Sequence, residues 1–240
     1  MIPQPPAELD YNAGPFFTEI GQEFKKHFID FGLKPDHRVL DVGCGFGRMA
    51  IPLTDYLTSK GSYVGFDIVP SGISWCMGNI TPKFPGFNFF HANIFNGNYN
   101  PTGTVAARNF KFPLQSESLD FVFLTSVFTH MIPADVSNYL EEIARVLRPG
   151  GRCLITFLLL NCESRMLMIG PGSTFNFRFL MDGFSAANEK IPEAALAYNE
   201  SDVVSLFQRC GLKIVQPIQY GGWCGRNVFL SFQDIVVAEK

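Results

Sequence analysis

The stretch VLDVGCGFGRMA, residues 39–50, decides the fold of this chain. Its first residues are apolar around Asp41 and predict a buried parallel strand. Glycines follow at alternate positions, where a missing Cβ permits positive φ and close approach of a ligand to the backbone. These glycines are Gly43, Gly45 and Gly47. A helix predicted to begin near Arg48 would point its free N–H groups at the same turn. Together these features predict the nucleotide-type site of a doubly wound α/β fold.

Composition and charge set broad limits on the function. The 240 residues suit one domain, and the 47% hydrophobic and 17% charged fractions predict a well-packed protein. A net charge of -3 without any basic run argues against nucleic acid as the main partner. The six cysteines form no C-x-x-C pair, so no metal site is expected. No signal peptide or long apolar run is visible, so we expect a cytoplasmic protein without a membrane partner.

The rest of the chain predicts strands that alternate with helices, which indicates a mostly parallel sheet covered on both faces. With the first strand, the pattern gives seven strands, of which the last two form an antiparallel pair at one edge. The predicted helices are 15–31, 48–59, 70–80, 134–147 and 199–210. The other predicted strands are 62–68, 87–94, 118–127 and 152–160, followed by one strand in each of the segments 211–221 and 227–240. Residues 95–113 are predicted to form a long loop or a hairpin.

Two segments lie outside this alternation within the single predicted domain, 1–240. Residues 161–198 contain glycines and aromatics without a clean period, and they are predicted to form a cap insertion over the substrate pocket. Residues 1–34 are predicted to form a helical lid, in which YNAGPFF (11–17) folds over the cofactor; a simple packing helix is an equal alternative. Trp223 is either a loop aromatic or a substrate platform, and Glu163 and Tyr220 are candidates for shaping the same pocket.

The spacing of the glycines separates two kinds of cofactor. The dinucleotide fingerprint G-x-G-x-x-G requires a glycine where this chain has Arg48. The pattern here is G-x-G-x-G, and it resembles the first motif of class I S-adenosylmethionine-dependent methyltransferases. The resemblance covers about residues 37–158 and includes LEEIARVLRPGGRCLITF (140–157). It implies a Rossmann-like methyltransferase fold, S-adenosylmethionine as cofactor and a methionine moiety held against the bare backbone of the loop.

Further cofactor contacts follow the ends of the predicted strands. Asp67 ends the second strand, where an acidic residue accepts hydrogen bonds from ribose hydroxyls; an exposed turn carboxylate is the alternative. The resemblance places Asn93 near the adenine amino group, the next residue against the ring and Thr125 beside the methionine part. A loop-capping role for Asn93 is nearly as well supported. The complete predicted set is Asp41, Gly43, Gly45, Gly47, Asp67, Ile68, Asn93, Ile94 and Thr125.

A methyl acceptor requires positioning, and a hydroxyl acceptor also benefits from a general base. His130 follows the fourth strand at the carboxyl edge of the sheet and is the first candidate for this base. A histidine that caps the following helix is the alternative, and His91 is the second candidate. The exit of that strand lacks the Asn/Asp-Pro-Pro-aromatic tetrad that the resemblance associates with adenine and glutamine amino methyltransferases.

The sequence therefore predicts a methyltransferase that acts on a small molecule or a glycan, at oxygen. Two other functions stay open at this point. One is an NAD-dependent oxidoreductase on a related fold, and the other is a non-catalytic subunit that binds the cofactor and stabilises a partner enzyme. The sequence does not indicate an oligomeric state.

Overall fold

The computed structural model of the protein describes Pro5 and residues 16–240. The predicted clamp at residues 11–17 lies outside the described residues except for Phe16 and Phe17, so it stays a prediction. The first described helix covers most of the predicted helix 15–31. The helices are α1 (Phe17–Asp30), α2 (Ala50–Leu53), α3 (Pro70–Asn79), α4 (Pro133–Val146), α5 (Cys162–Leu167) and α6 (Glu200–Arg209).

The strands follow the predicted alternation and include several short additional ones. They are β1 (Arg38–Val42), β2 (Ser62–Asp67), β3 (Phe87–His91), β4 (Ile94–Phe95), β5 (Val105–Ala106), β6 (Leu119–Leu124), β7 (Leu147–Phe157), β8 (Leu159–Leu160), β9 (Phe179–Met181), β10 (Phe184–Ala186), β11 (Leu196–Asn199), β12 (Lys213–Ile214) and β13 (Asp234–Glu239). Short 3-10 turns occupy Ala107–Asn109, Phe128–His130 and Pro192–Ala194.

A seven-stranded sheet forms the centre of the fold, in the order β12-β13-β7-β6-β1-β2-β3. Neighbouring strands from β3 to β7 run parallel, whereas β13 is antiparallel to both of its neighbours. The prediction of a mostly parallel α/β sheet with an antiparallel last strand is confirmed. Val42 is in register with Phe66 on one side and Leu124 on the other, so β1, β2 and β6 end together. The residues that follow these strands therefore meet at one edge.

Helices cover both faces of the sheet, which explains why β6 is buried along its whole length. On one face, α1 packs Phe28 against Phe123 with ring centroids 4.1 Å apart. On the other face, α4 contributes Leu140 and Ile143, both fully buried, from the apolar side of an amphipathic helix. Fixing β6 from both faces holds its carboxyl end in one position.

The helix predicted over 48–59 is much shorter than expected. Only α2 forms: Pro52 has no N–H to donate to the carbonyl of Arg48, so the helix begins at Ala50, and after Leu53 the Thr54 amide donates to the Ile51 carbonyl at 3.2 Å in a turn. That carbonyl is covered by α1 instead: a Cβ placed on Gly21 would lie 2.6 Å from the Arg48 oxygen. Helix α1 therefore lies close against the turn that carries the glycines.

The strand predicted over 152–160 is divided between two sheets. The Leu159 amide donates to a carboxylate oxygen of Asp234 at 2.6 Å, so it does not continue the ladder between β7 and β13. Strand β8 pairs with β11, and a second sheet forms in the order β8-β11-β10-β9. The predicted loop over 95–113 contains the 3-10 turn Ala107–Asn109, and its β5 pairs in parallel with β4.

The cysteines and the helix lengths concern two further predictions from the sequence. All six cysteines are free thiols, and four of them are buried. Among residues 16–240, no helix combines the length and the apolar character that crossing a membrane requires.

Asp120 joins the amino ends of three strands. Its carboxylate accepts hydrogen bonds from the Arg38 amide at 2.8 Å, from the Arg38 guanidinium at 2.9 Å, and from the Arg148 guanidinium. Burial raises the pKa of Asp120, but these hydrogen bonds outweigh it and hold the pKa well below the ordinary value of 3.8. A depressed folded pKa stabilises the fold fully above the unfolded pKa, and this stabilisation is lost as pH falls through the folded pKa.

We expect Asp120→Asn to lower the free energy of unfolding by about 2 kcal/mol at pH 7, because two charged donors lose their charged acceptor. The difference from the parent protein should shrink as pH falls below the unfolded pKa near 3.8. Urea unfolding at pH 7 and pH 3 measures both effects. Asp182→Asn, at an exposed carboxylate, is the matched control; equal losses in the two variants would contradict the assignment.

Candidate functional site

A cavity of about 610 Å³ opens at the edge of the sheet where β1, β2 and β6 end. Its walls come from the glycine loop, the ends of these strands, α1, and the segments 94–99 and 231–233. A volume of this size falls within the range of about 300–1,000 Å³ that is typical of ligand sites. Of the residues predicted from the sequence, the cavity is lined by Gly43, Gly45, Asp67, Ile68, Ile94, Thr125 and His130.

The glycine loop reaches the cavity through backbone conformations that favour glycine. Gly43 has φ +78°, and a Cβ there would lie 2.4 Å from a methyl carbon of Val127. Gly45 has φ +51°, yet a Cβ there would meet no atom within 4 Å. The first glycine therefore allows close packing, and the second leaves open space beside bare backbone. Gly47 is not in the cavity wall; it packs against Ile80 and Cys76.

Asp67 connects the end of β2 to the glycine loop. One carboxylate oxygen accepts the Gly45 amide at 2.7 Å, and the other accepts the Val69 amide at 2.8 Å. Burial raises the pKa of Asp67, while these backbone hydrogen bonds oppose the shift. A carboxylate has about four lone-pair sites, so acceptor capacity remains for a hydroxyl donor in the cavity. The geometry suits a ligand with neighbouring hydroxyl groups.

Asp41 is fully buried in β1 and is not part of the cavity wall. One of its oxygens accepts a hydrogen bond from the Tyr63 hydroxyl, and the other has no hydrogen-bond partner among the described residues. Burial raises the pKa of Asp41 to about 7, although the bond from Tyr63 lowers it. The carboxylate is thus connected to β2, and its direct contact with a cofactor stays a prediction.

Asn93 lies outside the cavity wall, whereas the neighbouring Ile94 is part of it. The Asn93 amide nitrogen donates to the Thr104 hydroxyl at 3.1 Å, and its oxygen accepts from the Asn100 amide at 3.4 Å. Both ends of this side chain therefore hold the 94–106 loop. This arrangement is the loop-capping alternative from the sequence, and the contact with adenine stays a prediction.

His130 ends the 3-10 turn after β6 and lines the cavity. Its Nδ1 lies 2.8 Å from the Glu193 carbonyl oxygen, which can only accept, so Nδ1 carries the proton. The Tyr99 hydroxyl lies 3.5 Å from Nε2. Burial lowers the pKa of His130, and the carbonyl partners oppose this shift. At neutral pH the ring is uncharged and Nε2 holds an acceptor lone pair.

Helix α1, which belongs to the segment 1–34 predicted as a lid, lines the cavity with Phe17, Ile20, Glu23 and Phe24. Other cavity residues were not predicted from the sequence, among them Asp135 and Tyr139 of α4. Ser126 adopts φ +59° and donates its hydroxyl to the Gln233 side-chain oxygen at 3.1 Å. The helical residues follow the spacing of ordinary core positions, and Ser126 and Gln233 are far apart in the chain. No local pattern distinguishes them.

Other candidates from the sequence lie away from the cavity. The Trp223 ring is fully buried and donates its indole N–H to Asp234 at 2.8 Å, so the hypothesis of a substrate platform is wrong. Glu163 accepts from the Arg226 guanidinium at 2.9 Å. Exposed His91 has a ring nitrogen 3.2 Å from the Ile68 carbonyl oxygen and does not line the cavity.

Comparison with known proteins adds family information to this geometry. Residues 40–155 match the profile of a protein family described as a methyltransferase domain. The chain is 27% identical over 206 residues to the chicken (Gallus gallus) tRNA N(3)-cytidine methyltransferase METTL2, covering 82% of this chain and 49% of that protein. It is 35% identical over 121 residues to phthiotriol/phenolphthiotriol dimycocerosates methyltransferase 1 of Mycobacterium ulcerans, covering 50% and 37%. These two relatives are about two to three times as long as the parts that match.

A third relative matches over most of its length. Demethylmenaquinone methyltransferase of Bacillus cereus is 26% identical over 203 residues, covering 79% of this chain and 76% of that protein. Among solved structures, an S-adenosylmethionine-dependent methyltransferase from Aquifex aeolicus superposes with a TM-score of 0.59 at 19% identity over 98% of both chains. This similarity supports the fold. Because one relative is a tRNA enzyme by name, the comparisons do not support the early exclusion of nucleic acid.

The residues in the cavity wall fit S-adenosylmethionine. The open space beside Gly45 leaves backbone accessible to a polar ligand end. Asp67 retains acceptor capacity for ribose hydroxyls, and Ile68 and Ile94 supply apolar surface for a flat ring.

We expect Gly45→Ala to lower the affinity for S-adenosylmethionine at least tenfold, because the added methyl group would occupy the open space in the loop. A suitable control is Gly211→Ala. Gly211 has φ +73° and an equally open Cβ position, but it follows α6 outside the cavity wall. Each variant should lose about 1 kcal/mol of stability through backbone strain. Calorimetric titration should show weak binding only for Gly45→Ala; equal binding by both variants would remove the loop from the cofactor site.

Proposed function

We propose that this chain, which belongs to the class I S-adenosylmethionine-dependent methyltransferase superfamily, methylates an oxygen atom of a small-molecule or glycan acceptor. When bound, the cofactor supplies a methyl group that is activated by a positively charged sulfur. The observation that carries the proposal is the shared cavity: neutral His130 lines the same space as the glycine loop and Asp67. A proton acceptor and a cofactor cradle thus face one volume.

In this proposal, the residues that follow β1, β2 and β6 hold the cofactor. We propose that the backbone of the glycine loop receives the methionine end and that Asp67 accepts the ribose hydroxyls. Ile68 and Ile94 would hold the adenine between them, and Thr125, which lines the cavity at the exit of β6, would border the methionine part. These contacts bind and orient, which is the main requirement for an in-line transfer.

His130 performs the one proton transfer that a hydroxyl acceptor needs. The Glu193 carbonyl holds Nδ1–H and orients the ring, so Nε2 is the nitrogen that can accept the proton. The lowered pKa keeps this nitrogen unprotonated at neutral pH. A hydroxyl oxygen must lose its proton as its bond to the methyl group forms, and a neutral histidine with a fixed ring is placed to take that proton; for this reason we favour oxygen.

The charge of the cavity supports an acceptor without many phosphates. Among the described residues, its carboxylate side chains are Glu23, Asp67 and Asp135, while Arg48 supplies the one permanent cation. A nucleic acid would require clustered basic side chains near its phosphates. The names of the relatives include tRNA cytidine, phthiotriol dimycocerosates and demethylmenaquinone, so they do not select one acceptor.

Two segments enclose the acceptor end in this proposal. Residues 161–198 act as a cap, because Ala194 lines the cavity and Glu193 contacts both His130 and the Gly97 amide, the latter at 3.3 Å. Helix α1 acts as the lid on another side through Phe17 and its neighbours. Enclosure of this kind excludes water from the reacting groups.

Calorimetry with S-adenosylmethionine and with NAD tests the cofactor. We expect binding of the first and not of the second, and we expect Asp67→Ala to weaken binding about 10- to 100-fold by removing hydrogen bonds to a charged acceptor. Asp182→Ala, at an exposed carboxylate outside the cavity, is the control. Binding of NAD alone, or of neither compound, would contradict the proposal.

Transfer of a tritiated methyl group tests the acceptor and the base. The acceptors are a small-molecule extract and total RNA from the source cells, assayed separately, and we expect label in the former. His130→Ala should retain cofactor binding and lose about 100-fold or more in rate, whereas His91→Ala should not. His130→Asn keeps a donor for the Glu193 carbonyl, so full activity in that variant would show a purely structural histidine.

The same assay has an expected pH dependence. Only the neutral imidazole can accept a proton, and the pKa of His130 lies below its ordinary value of 6.5. The rate should therefore be independent of pH above about 6.5 and fall below the lowered pKa as the ring becomes protonated.

In the acceptor assay, label in RNA rather than in the extract would replace the proposed acceptor with a nucleic acid.

A further inference from the structure

An exposed apolar loop follows the buried Arg226. Three consecutive apolar side chains are exposed there: Val228 by 90%, Phe229 by 51% and Leu230 by 44%. Phe232, two residues further, is also exposed. Single apolar residues on a surface are ordinary, but a consecutive run of this kind marks an interaction site. We call Val228, Phe229, Leu230 and Phe232 the apolar rim.

The apolar rim is held in place by its base. The Gly222 amide donates to the Ser231 carbonyl at 3.2 Å, and the Trp223 amide donates to the Phe232 carbonyl at 3.0 Å. The Phe229 ring packs on Gly222, where an added Cβ would lie 2.7 Å from it. The loop is therefore supported by the buried residues around Trp223 and presents its apolar side chains outward.

The apolar rim continues into the cavity. Phe232 and its neighbours Ser231 and Gln233 all line the cavity, so the loop forms part of the cavity wall before it reaches the surface. Phe95, another exposed aromatic residue, lines the same cavity. When the polar group of a molecule lies near His130, the part of the molecule that extends out of the cavity can thus contact apolar surface.

The chemistry of this surface selects one class of occupant. Residues 227–232 have the sequence NVFLSF and contain no ionisable side chain. The preceding Arg226 is buried, and its guanidinium donates to Glu163 at 2.9 Å and to the Gly221 carbonyl at 3.0 Å. This guanidinium is therefore buried and held by its Nε and Nη1 atoms within the protein. The surface favours hydrocarbon over a phosphate-rich polymer or an anionic lipid surface.

We propose that the methyl acceptor is amphiphilic: its polar group enters the cavity, and a hydrocarbon chain lies along the apolar rim. This inference rests on the proposed function and deepens it by naming the substrate class. Each methylene of such a chain that is removed from water strengthens binding about fourfold. The apolar rim then determines specificity by chain length, while His130 acts on the polar group.

A series of 4-alkylphenols tests the inference without requiring methyl transfer. Binding of 4-methyl-, 4-butyl- and 4-hexylphenol is measured by calorimetry on the full chain saturated with S-adenosylhomocysteine. We expect the dissociation constant to fall about fourfold for each added methylene that contacts the rim. The double variant Val228→Ser/Leu230→Ser should reduce this dependence on chain length and keep its affinity for S-adenosylhomocysteine. Leu180→Ser, at a residue that is 82% exposed and outside the cavity wall, should leave it unchanged.

Several outcomes would overturn the inference. Dissociation constants that do not depend on chain length, or a dependence that the double variant retains, would remove the apolar rim from acceptor binding. Binding to phosphatidylcholine vesicles and self-association in analytical ultracentrifugation are measured for the same proteins. If the dissociation constants show no dependence on chain length and the double variant loses vesicle binding, the rim is a lipid-binding surface. If the double variant instead loses self-association, the rim binds a second copy of this chain. Failure to bind S-adenosylhomocysteine would contradict the proposed function. The inference about the rim can still be tested then, because the alkylphenol series can be repeated without S-adenosylhomocysteine.

Discussion

The site depends on one constraint, the attachment of the glycine loop to the end of the neighbouring strand β2. The amides of Gly43 and Cys44 donate to the same Phe66 carbonyl, at 2.8 and 3.1 Å, and the Gly45 amide donates to Asp67. These bonds form only if the backbone turns through positive φ directly after β1. The register of β1 and β2 therefore places a bare backbone and a carboxylate at one cavity wall.

The sequence predicts that Gly43, Gly45 and Asp67 meet at one edge of the sheet, because the determinants of this geometry are local. An apolar strand, a glycine turn and an acidic residue at the next strand end all produce patterns within a few residues. The errors arise where one side chain interferes with a regular element. Pro52 removes a hydrogen bond from the first turn of the helix predicted over 48–59, and Asp234 takes the Leu159 amide and divides the strand predicted over 152–160.

The acceptor half could not be predicted in the same way, because long-range contacts assemble it. Gln233 meets Ser126, and Glu193 meets His130, through segments that have no helical or strand period. The apolar rim also reads as an ordinary hydrophobic strand in the sequence, and only the structure shows that its side chains are exposed. Nothing local to these residues indicates which surface they will border.

The contact between Glu193 and His130 links enclosure of the acceptor to the state of the base. A free histidine exchanges its proton between two ring nitrogens, and only one tautomer presents a lone pair to the cavity. The Glu193 carbonyl selects that tautomer, and it belongs to the segment proposed as the cap. The same segment also places Ala194 in the cavity wall, so one stretch of chain both borders the cavity and fixes the His130 ring. If His130 is the base, as proposed, an acceptor that displaced this segment would lose the preferred tautomer together with its binding contacts, which would make the fit of the acceptor a condition of the chemistry.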